Sequence, residues 1–235
     1  MPALHFVHIP KTGGTSIEEA YRGVQPFGRY ALFPELATAR ERARCAFWHE
    51  HAPVLTVRPG AASFCVVRDP VARLLSEYRY RALPDDVAVF NATLREWRAR
   101  IAENPYYMQN HFCPQALFAR QCTHCLLVDH LDATLPALLR RYHITPRPMR
   151  RANRSKVYTC VTGAACFTAD NYAWIRQFYR DDFALVAHAR ARHVRRAVHR
   201  SPRRALTAPN DVATIVSART DCEENNRPRS SLSRA

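Results

Sequence analysis

At 235 residues the chain is long enough for one large domain whose core needs no covalent staples. Its hydrophobic fraction of 47% is ordinary, and no uninterrupted apolar run reaches the roughly 18 residues of a membrane span; the best candidate, "LLVDHLDATLPALL", is broken by Asp129 and Asp132. The net charge of +15 favours an anionic ligand, an acidic polymer or a membrane surface as partner, although 33 of the 35 basic residues are arginine, a skew that genome base composition can produce, and +5 of the charge falls after residue 193.

In chain order, "LHFVHI" (residues 4–9) is short, apolar and rich in β-formers, and it ends at Pro10, which predicts a buried strand. With no charged n-region and no small-residue cleavage site, this segment does not read as a signal peptide, and the chain is expected to be soluble and cytoplasmic. "GGTSIEEAYRG" then predicts a tight turn into a helix, capped by Thr15 or Ser16, with Glu18 and Glu19 in its first turn. A second strand is expected at "RCAFWH" (44–49), which runs into the "HEH" of His49, Glu50 and His51.

A third strand, "ASFCVV" (62–67), runs into "RDPVARLLSEYRYRAL". There Asp69 is placed to cap a helix, Pro70 suits its first position, and Val71, Leu74, Leu75 and Tyr78 recur at helical spacing. Further helices are predicted at 91–104 and 133–143, the latter after a strand-like "CLLVDHL", and one last helix at 168–190. Beyond about Arg192 periodicity fades, so residues 1–192 are expected to fold and 193–235 to form a basic, disordered tail. Strands alternating with helices predict an α/β fold with a central, mostly parallel sheet flanked by helices, and a ligand site at the carboxyl ends of the strands.

Eight cysteines read as free thiols more readily than as a disulfide framework. Cys122 and Cys125 have metal-ligand spacing, but no second C-x-x-C is present and structural zinc needs four ligands, so no metal is expected. Cys160 and Cys166 would be bridged only in an oxidising compartment, and the sequons at Asn91 and Asn153 would matter only in a secretory lumen.

Two stretches carry chemistry. In "HIPKTGGTSI" the glycines Gly13 and Gly14 allow close backbone approach to an anion at a helix start. Thr12, Thr15 and Ser16 add hydroxyls, and Lys11 stands at the edge of the bound group. The lysine precedes the glycines, whereas the triphosphate loop G-x-x-x-x-G-K-[ST] has it after them. A kinase or triphosphatase would also need a strand-end carboxylate for magnesium, and the next predicted strand ends in "HEH". In "VVRDPVARLLSEY", Arg68 at a strand end and Ser76 two helical turns on are placed to converge on a second anion.

Together these stretches resemble the 5′-phosphosulfate loop and the 3′-phosphate motif of sulfotransferases that use 3′-phosphoadenosine 5′-phosphosulfate (PAPS), most closely the branch with the heparan-sulfate 2-O- and 6-O-sulfotransferases. The spacing R-D-P-x-x-R-x-x-S is met by Arg68, Asp69, Pro70, Arg73 and Ser76. Weaker echoes at "TLREWRARIAENPYYMQN", "CLLVDHLDATLPAL", "NRSK" and "FYRDDFAL" extend the likeness over residues 4–190.

The resemblance implies a single-domain, P-loop-like sulfotransferase fold and PAPS as donor, with no metal. It assigns the phosphosulfate to Lys11, Thr12, Gly13, Gly14, Thr15 and Ser16, the 3′-phosphate to Arg68 and Ser76, and a covering loop to Arg154 and Ser155. "FWHEHAPV" is similar to the His-x-His of the 2-O branch, which implies His51 as base, His49 as substrate contact or alternative base, and Glu50 as a further possibility. The implied acceptor is a hydroxyl of a glycan, held if acidic by Arg79 and Arg81. The resemblance would imply a Golgi lumen and a glycosaminoglycan substrate, whereas the sequence itself leads to the expectation of a short enzyme with no N-terminal membrane anchor or long insertions. The competing reading is a noncatalytic binder of polyanion or nucleic acid on the same fold, which would show steep salt dependence without selectivity for a 3′-phosphate.

Overall fold

The computed structural model describes residues 4–22, 62–120, 122–150 and 157–200, with backbone alone for 195–200. Its centre is a three-stranded parallel sheet in the order β1 (Leu4–Val7), β2 (Ala62–Val67), β3 (His124–Leu127). Register pairs Val7 with Cys65 and Val67 with Leu127, so the three carboxyl ends lie along one edge. The strand expected at 44–49 lies outside the described residues.

Strand alternation divides the core in two. Leu4, Phe6, Phe64, Val66 and Leu126 point to one face, against Ile17 and Tyr21 of the α1 (Gly14–Ala20) segment and Leu131, Leu135, Leu138 and Leu139 of α5 (Leu131–Arg141). Val7, Cys65, Val67 and Leu127 point to the other, against Phe118 and Ala119 of α4 (Gln115–Ala119) and Val186 and Ala189 of α7 (Arg180–Arg200). The central strand β2 is therefore covered on both sides, which is why "SFCVV" reads as an almost unbroken apolar run. A third cluster packs α2 (Pro70–Tyr80), α3 (Val87–Glu103) and α6 (Ala169–Phe178) around Tyr78, Phe90, Trp97 and Ile175. Burying each of these large side chains contributes about 1.5–3 kcal/mol.

The helix after β2 begins as its sequence dictates: Asp69 accepts from Val71 N and Ala72 N at 3.0 and 3.1 Å, and Pro70 takes the first helical position, where no N–H is needed. Other expectations need correction. The helix expected from residue 91 starts at Val87, because Asp86 caps it by accepting from Val89 N. That places the first sequon inside α3, where buried Asn91 donates to Val87 O and Cys166 O and accepts from Thr168 N and Asn171 Nδ2. Such a side chain cannot carry a glycan in the folded protein; Asn153 lies outside the described residues.

The strand expected over 125–131 ends at Leu127 and passes into a short 3-10 turn, Val128–His130. The single helix expected over 168–190 is two, α6 and α7, broken at Tyr179, whose buried hydroxyl donates to Phe112 O at 2.8 Å. Helix α7 runs to Arg200, and the chain divides into two compact units after Arg195. Cys160 and Cys166 are free thiols, the first exposed and the second buried. No helix among the described residues is long and apolar enough to cross a membrane.

Candidate active site

The loop after β1 is built by three residues with different jobs. Gly13 has φ +92, a left-handed conformation that favours glycine, and so turns the chain into α1. Gly14 is required for space, since a Cβ there would run into the ring of buried His8, which is held by its Nδ1 contact to Glu18 at 2.5 Å. Lys11 takes φ 66, strain of about 1–3 kcal/mol for a residue with a Cβ, at the place where the loop presents its charge.

Two expectations change here. Helix α1 has Gly13 at its cap position with no side-chain cap bond, so Thr15 and Ser16 lie inside its first turn, and Glu18 pairs with His8. The buried Thr12 hydroxyl donates to Ile9 O at 2.9 Å, which commits its proton to the loop.

Arg68 leaves the end of β2 and donates from Nη1 to Lys11 O at 3.4 Å, so the two anion motifs touch across neighbouring strand ends. Its backbone is fixed by Gln115, which accepts from Arg68 N at 2.9 Å and donates to Arg68 O at 2.8 Å. Gln115 is in turn held by Asp182 of α7, which accepts from Gln115 N and Ala116 N at 2.8 Å each. Burial pushes the Arg68 guanidinium pKa down and neighbouring Arg79 adds to this, while Asp129 and Asp69 oppose it.

The motif's second arginine does something else. Arg73 is buried, and its Nε, Nη1 and Nη2 donate to Pro10 O, Cys113 O and His111 O at 2.9, 3.0 and 2.8 Å. It clamps the anion loop to the segment before α4. Ser76 is half-buried on α2, three residues from both Arg73 and Arg79.

Lys11 Nζ rests 3.5 Å from the centroid of the Tyr80 ring, a cation–π contact. Its pKa is lowered to about 8, by burial first and then by Arg68 and Arg81, with Glu77 pulling the other way. Buried Glu77 accepts from Arg81 Nε at 2.8 Å and pairs with His111 Nδ1 at 2.7 Å. Burial pushes the Glu77 carboxyl up, but His111 and Arg81 outweigh it and hold it below the usual carboxylate range. His111 is delivered by a run of three left-handed residues, Met108, Gln109 and Asn110. Arg79 donates from Nη2 to Val161 O at 2.8 Å.

Of the residues singled out in the sequence, Lys11, Thr12, Gly13, Gly14, Thr15, Ser16, Arg68, Ser76, Arg79 and Arg81 are described and gather around the β1 and β2 ends and α2; His49, Glu50, His51, Arg154 and Ser155 lie outside the described residues. Sequence reading missed Glu77, His111, Gln115 and Asp182. The signal for Glu77 was its spacing of four from both Arg73 and Arg81, a polar stripe beside the apolar face of α2.

Residues 2–158 match the model of a family described as the sulfotransferase family, well over half of the chain. The chain belongs to that family. No curated protein and no solved structure gives a significant match to this sulfotransferase. Family membership and the parallel α/β sheet agree on sulfuryl transfer as the general chemistry of this chain.

Proposed function

We propose that this sulfotransferase moves a sulfuryl group from PAPS to a hydroxyl of a carbohydrate acceptor by in-line displacement, in the manner of the heparan-sulfate 2-O and 6-O branch. The observation that carries the reading is the contact of Arg68 with the Lys11 carbonyl, because a donor with two separate anionic groups needs two cationic sites side by side. The residues fit such a donor: a glycine-shaped turn, a strained lysine at its mouth, and two mutually repelling guanidiniums, Arg68 and Arg79, which an anion would relieve. When bound, PAPS supplies the sulfuryl group on a phosphate leaving group.

The protein's share is positioning and charge, as in phosphoryl transfer. Backbone amides of residues 13–16 and the hydroxyls of Thr15 and Ser16 would cradle the 5′ end, with Arg68 and Ser76 at the 3′-phosphate and Arg154 and Ser155 covering the nucleotide. Lys11, now over the Tyr80 face, would supply an ammonium to the leaving oxygen and so offset the charge that grows there as the sulfuryl group departs. The acceptor oxygen forms the new S–O bond and its proton passes to a base. His51 is that base in the reading by resemblance, with His49 as substrate contact or substitute.

A specific observation favours a second reading of the base. His111 is oriented by the Glu77 carboxylate, and Glu77 also faces Lys11, the arrangement of base and orienting group that activates an attacking hydroxyl.

The experiment is transfer of label from ³⁵S-PAPS to a panel of sulfated and unsulfated glycans, small alcohols and phenols, with His51→Ala and His111→Ala beside the wild type. Transfer to a glycan lost in His51→Ala and kept in His111→Ala supports the first base; the reverse result supports the second. No transfer to any hydroxyl would contradict the reading as a whole.

A further inference from the structure

Three thiols that sulfuryl transfer does not use meet on one face of the sheet. Register sets Cys65 of β2 directly beside Cys125 of β3, and neighbouring strands lie about 4.8 Å apart with paired side chains on the same face. Cys122 packs into the same cluster, which also holds Phe118 and Leu127. It arrives there through a bend at Thr123. The Cys122 amide closes a turn on Ala119 O at 2.9 Å, and Thr123 is tied to β2 twice, its Oγ1 accepting from Ser63 N at 3.1 Å and its amide donating to Ser63 Oγ at 3.3 Å. Cys65 is hydrogen-bonded to the sulfurs of both Cys122 and Cys125, so all three lie within reach of one S–H.

The three are not equivalent. Cys65 is fully buried on the central strand, whereas Cys122 and Cys125 are half-buried and reachable from solvent. Hydrogen bonds to Cys122 and Cys125 raise the Cys65 thiol well above its ordinary value, and burial adds to this, which keeps Cys65 protonated as a donor. The bond from Cys65 lowers the Cys125 thiol, with the Arg192 charge of α7 helping and burial opposing. A half-exposed thiol that a donor and a cation favour as thiolate, three residues from a second half-exposed thiol, is arranged for thiol–disulfide exchange. The C-x-x-C spacing would also suit a metal, but among the described residues no group of three His, Cys, Asp or Glu is disposed to hold one.

We propose that Cys122 and Cys125 form a reversible dithiol–disulfide site for small disulfides such as glutathione disulfide, with Cys125 the attacking sulfur, Cys122 the resolving sulfur and Cys65 the buried donor that supports Cys125. The Cys125 thiolate attacks one sulfur of the small disulfide and expels the other half, which takes up a proton. Cys122, its own proton lost to solvent, then attacks the Cys125 sulfur and expels the second half in the same way. Two electrons and two protons pass from the protein pair to the small disulfide, leaving one Sγ–Sγ bond in the protein and two free small thiols. The inference stands apart from the donor and acceptor reading above.

The test incubates the full reduced chain with glutathione disulfide, blocks the remaining thiols with iodoacetamide and maps tryptic peptides by mass spectrometry. Residues 121–140, between Arg120 and Arg140, form one peptide that contains both cysteines. The wild type should yield this peptide bridged and unalkylated, and dithiothreitol should reverse the change. Cys122→Ser should stop at a glutathione adduct on Cys125, and Cys125→Ser should give neither bridge nor adduct. Cys65→Ala should still form the bridge, but more slowly. A hydrogen bond to a charged group is worth about 10- to 100-fold in an equilibrium, and a more basic thiolate is also the better nucleophile, so about 3- to 10-fold remains in the rate. If a serine variant does not fold, the wild-type peptide and the Cys65→Ala rate decide the matter. A bridge that includes Cys65, an adduct on Cys122 in place of Cys125, or full alkylation of both cysteines after the incubation overturns the site; a Cys65→Ala rate equal to the wild type's overturns the donor role.

Discussion

Replacing Arg73 with alanine should damage the fold, whereas replacing Arg68 with alanine should damage donor binding alone. Arg73 donates to three main-chain carbonyls, two of them fully buried, on segments that are otherwise far apart in sequence. Each charged hydrogen bond contributes about 1.5–3 kcal/mol, and each buried carbonyl stranded by truncation costs about 1–3 kcal/mol. Allowing for water entering at His111 O, the loss is about 4 kcal/mol, against total stabilities of about 5–15 kcal/mol for native domains. In a domain of this size that lowers Tm by roughly 8 to 16 °C. Arg68, by contrast, makes one long side-chain bond at 3.4 Å and is repelled by Arg79, so its removal should leave Tm within about 2 °C. Differential scanning fluorimetry of both variants, with 3′,5′-adenosine bisphosphate added afterwards, separates the two roles. Arg73→Ala melting within about 2 °C of the wild type would refute the clamp.

The pH dependence of Lys11 gives a prediction with two opposite signs. With its pKa lowered to about 8 in the folded protein, donor kcat/KM should fall as pH rises above about 8, because the cationic form is lost. Over the same rise, from about 8 towards the ordinary lysine value near 10.4, the unfolded chain binds the extra proton, so this residue's contribution to stability increases. The Tm difference between wild type and Lys11→Met, followed from pH 7 to 10, isolates that contribution; a difference independent of pH would contradict the buried-ammonium account. Gly14→Ala should destabilise by about 1–3 kcal/mol and weaken bisphosphate binding, since the new methyl group meets the His8 ring that Glu18 holds. A urea midpoint equal to the wild type's would show that the ring yields freely.

Local chemistry was legible in the sequence where one short stretch decided it. The run "ASFCVV" became β2 at its expected limits, and Asp69 and Pro70 opened α2 as their types require. The glycine turn after β1 was recognisable, but Gly14 turned out to make room for His8 and Thr12 to be bound into the loop itself. What stayed hidden were partners distant in sequence: Asp182 with Gln115, Asp85 with the amides at 159–161, and Glu77 with His111. Each is a polar residue whose meaning comes from a carbonyl, amide or ring that only the tertiary fold brings near. The break at Tyr179 escaped for the same reason, since an aromatic residue in a helical pattern gives no sign that its hydroxyl will be used elsewhere. Arg73 and Arg68 lie five residues apart yet differ in their work, one holding three carbonyls and the other making a single long bond to Lys11 O, a distinction that spacing alone does not carry.

The central claim is that Lys11 and Arg68 head two adjoining anion sites made for one bisphosphorylated nucleotide. A ligand that binds only the folded state raises stability by about 2.7 kcal/mol at 100 times its dissociation constant. Thermal-shift titrations of the wild type with 3′,5′-adenosine bisphosphate, ATP and 5′-AMP at matched concentrations test it most directly. The bisphosphate should raise Tm well above either of the others; equal shifts with all three nucleotides, or none with the bisphosphate, would contradict the account.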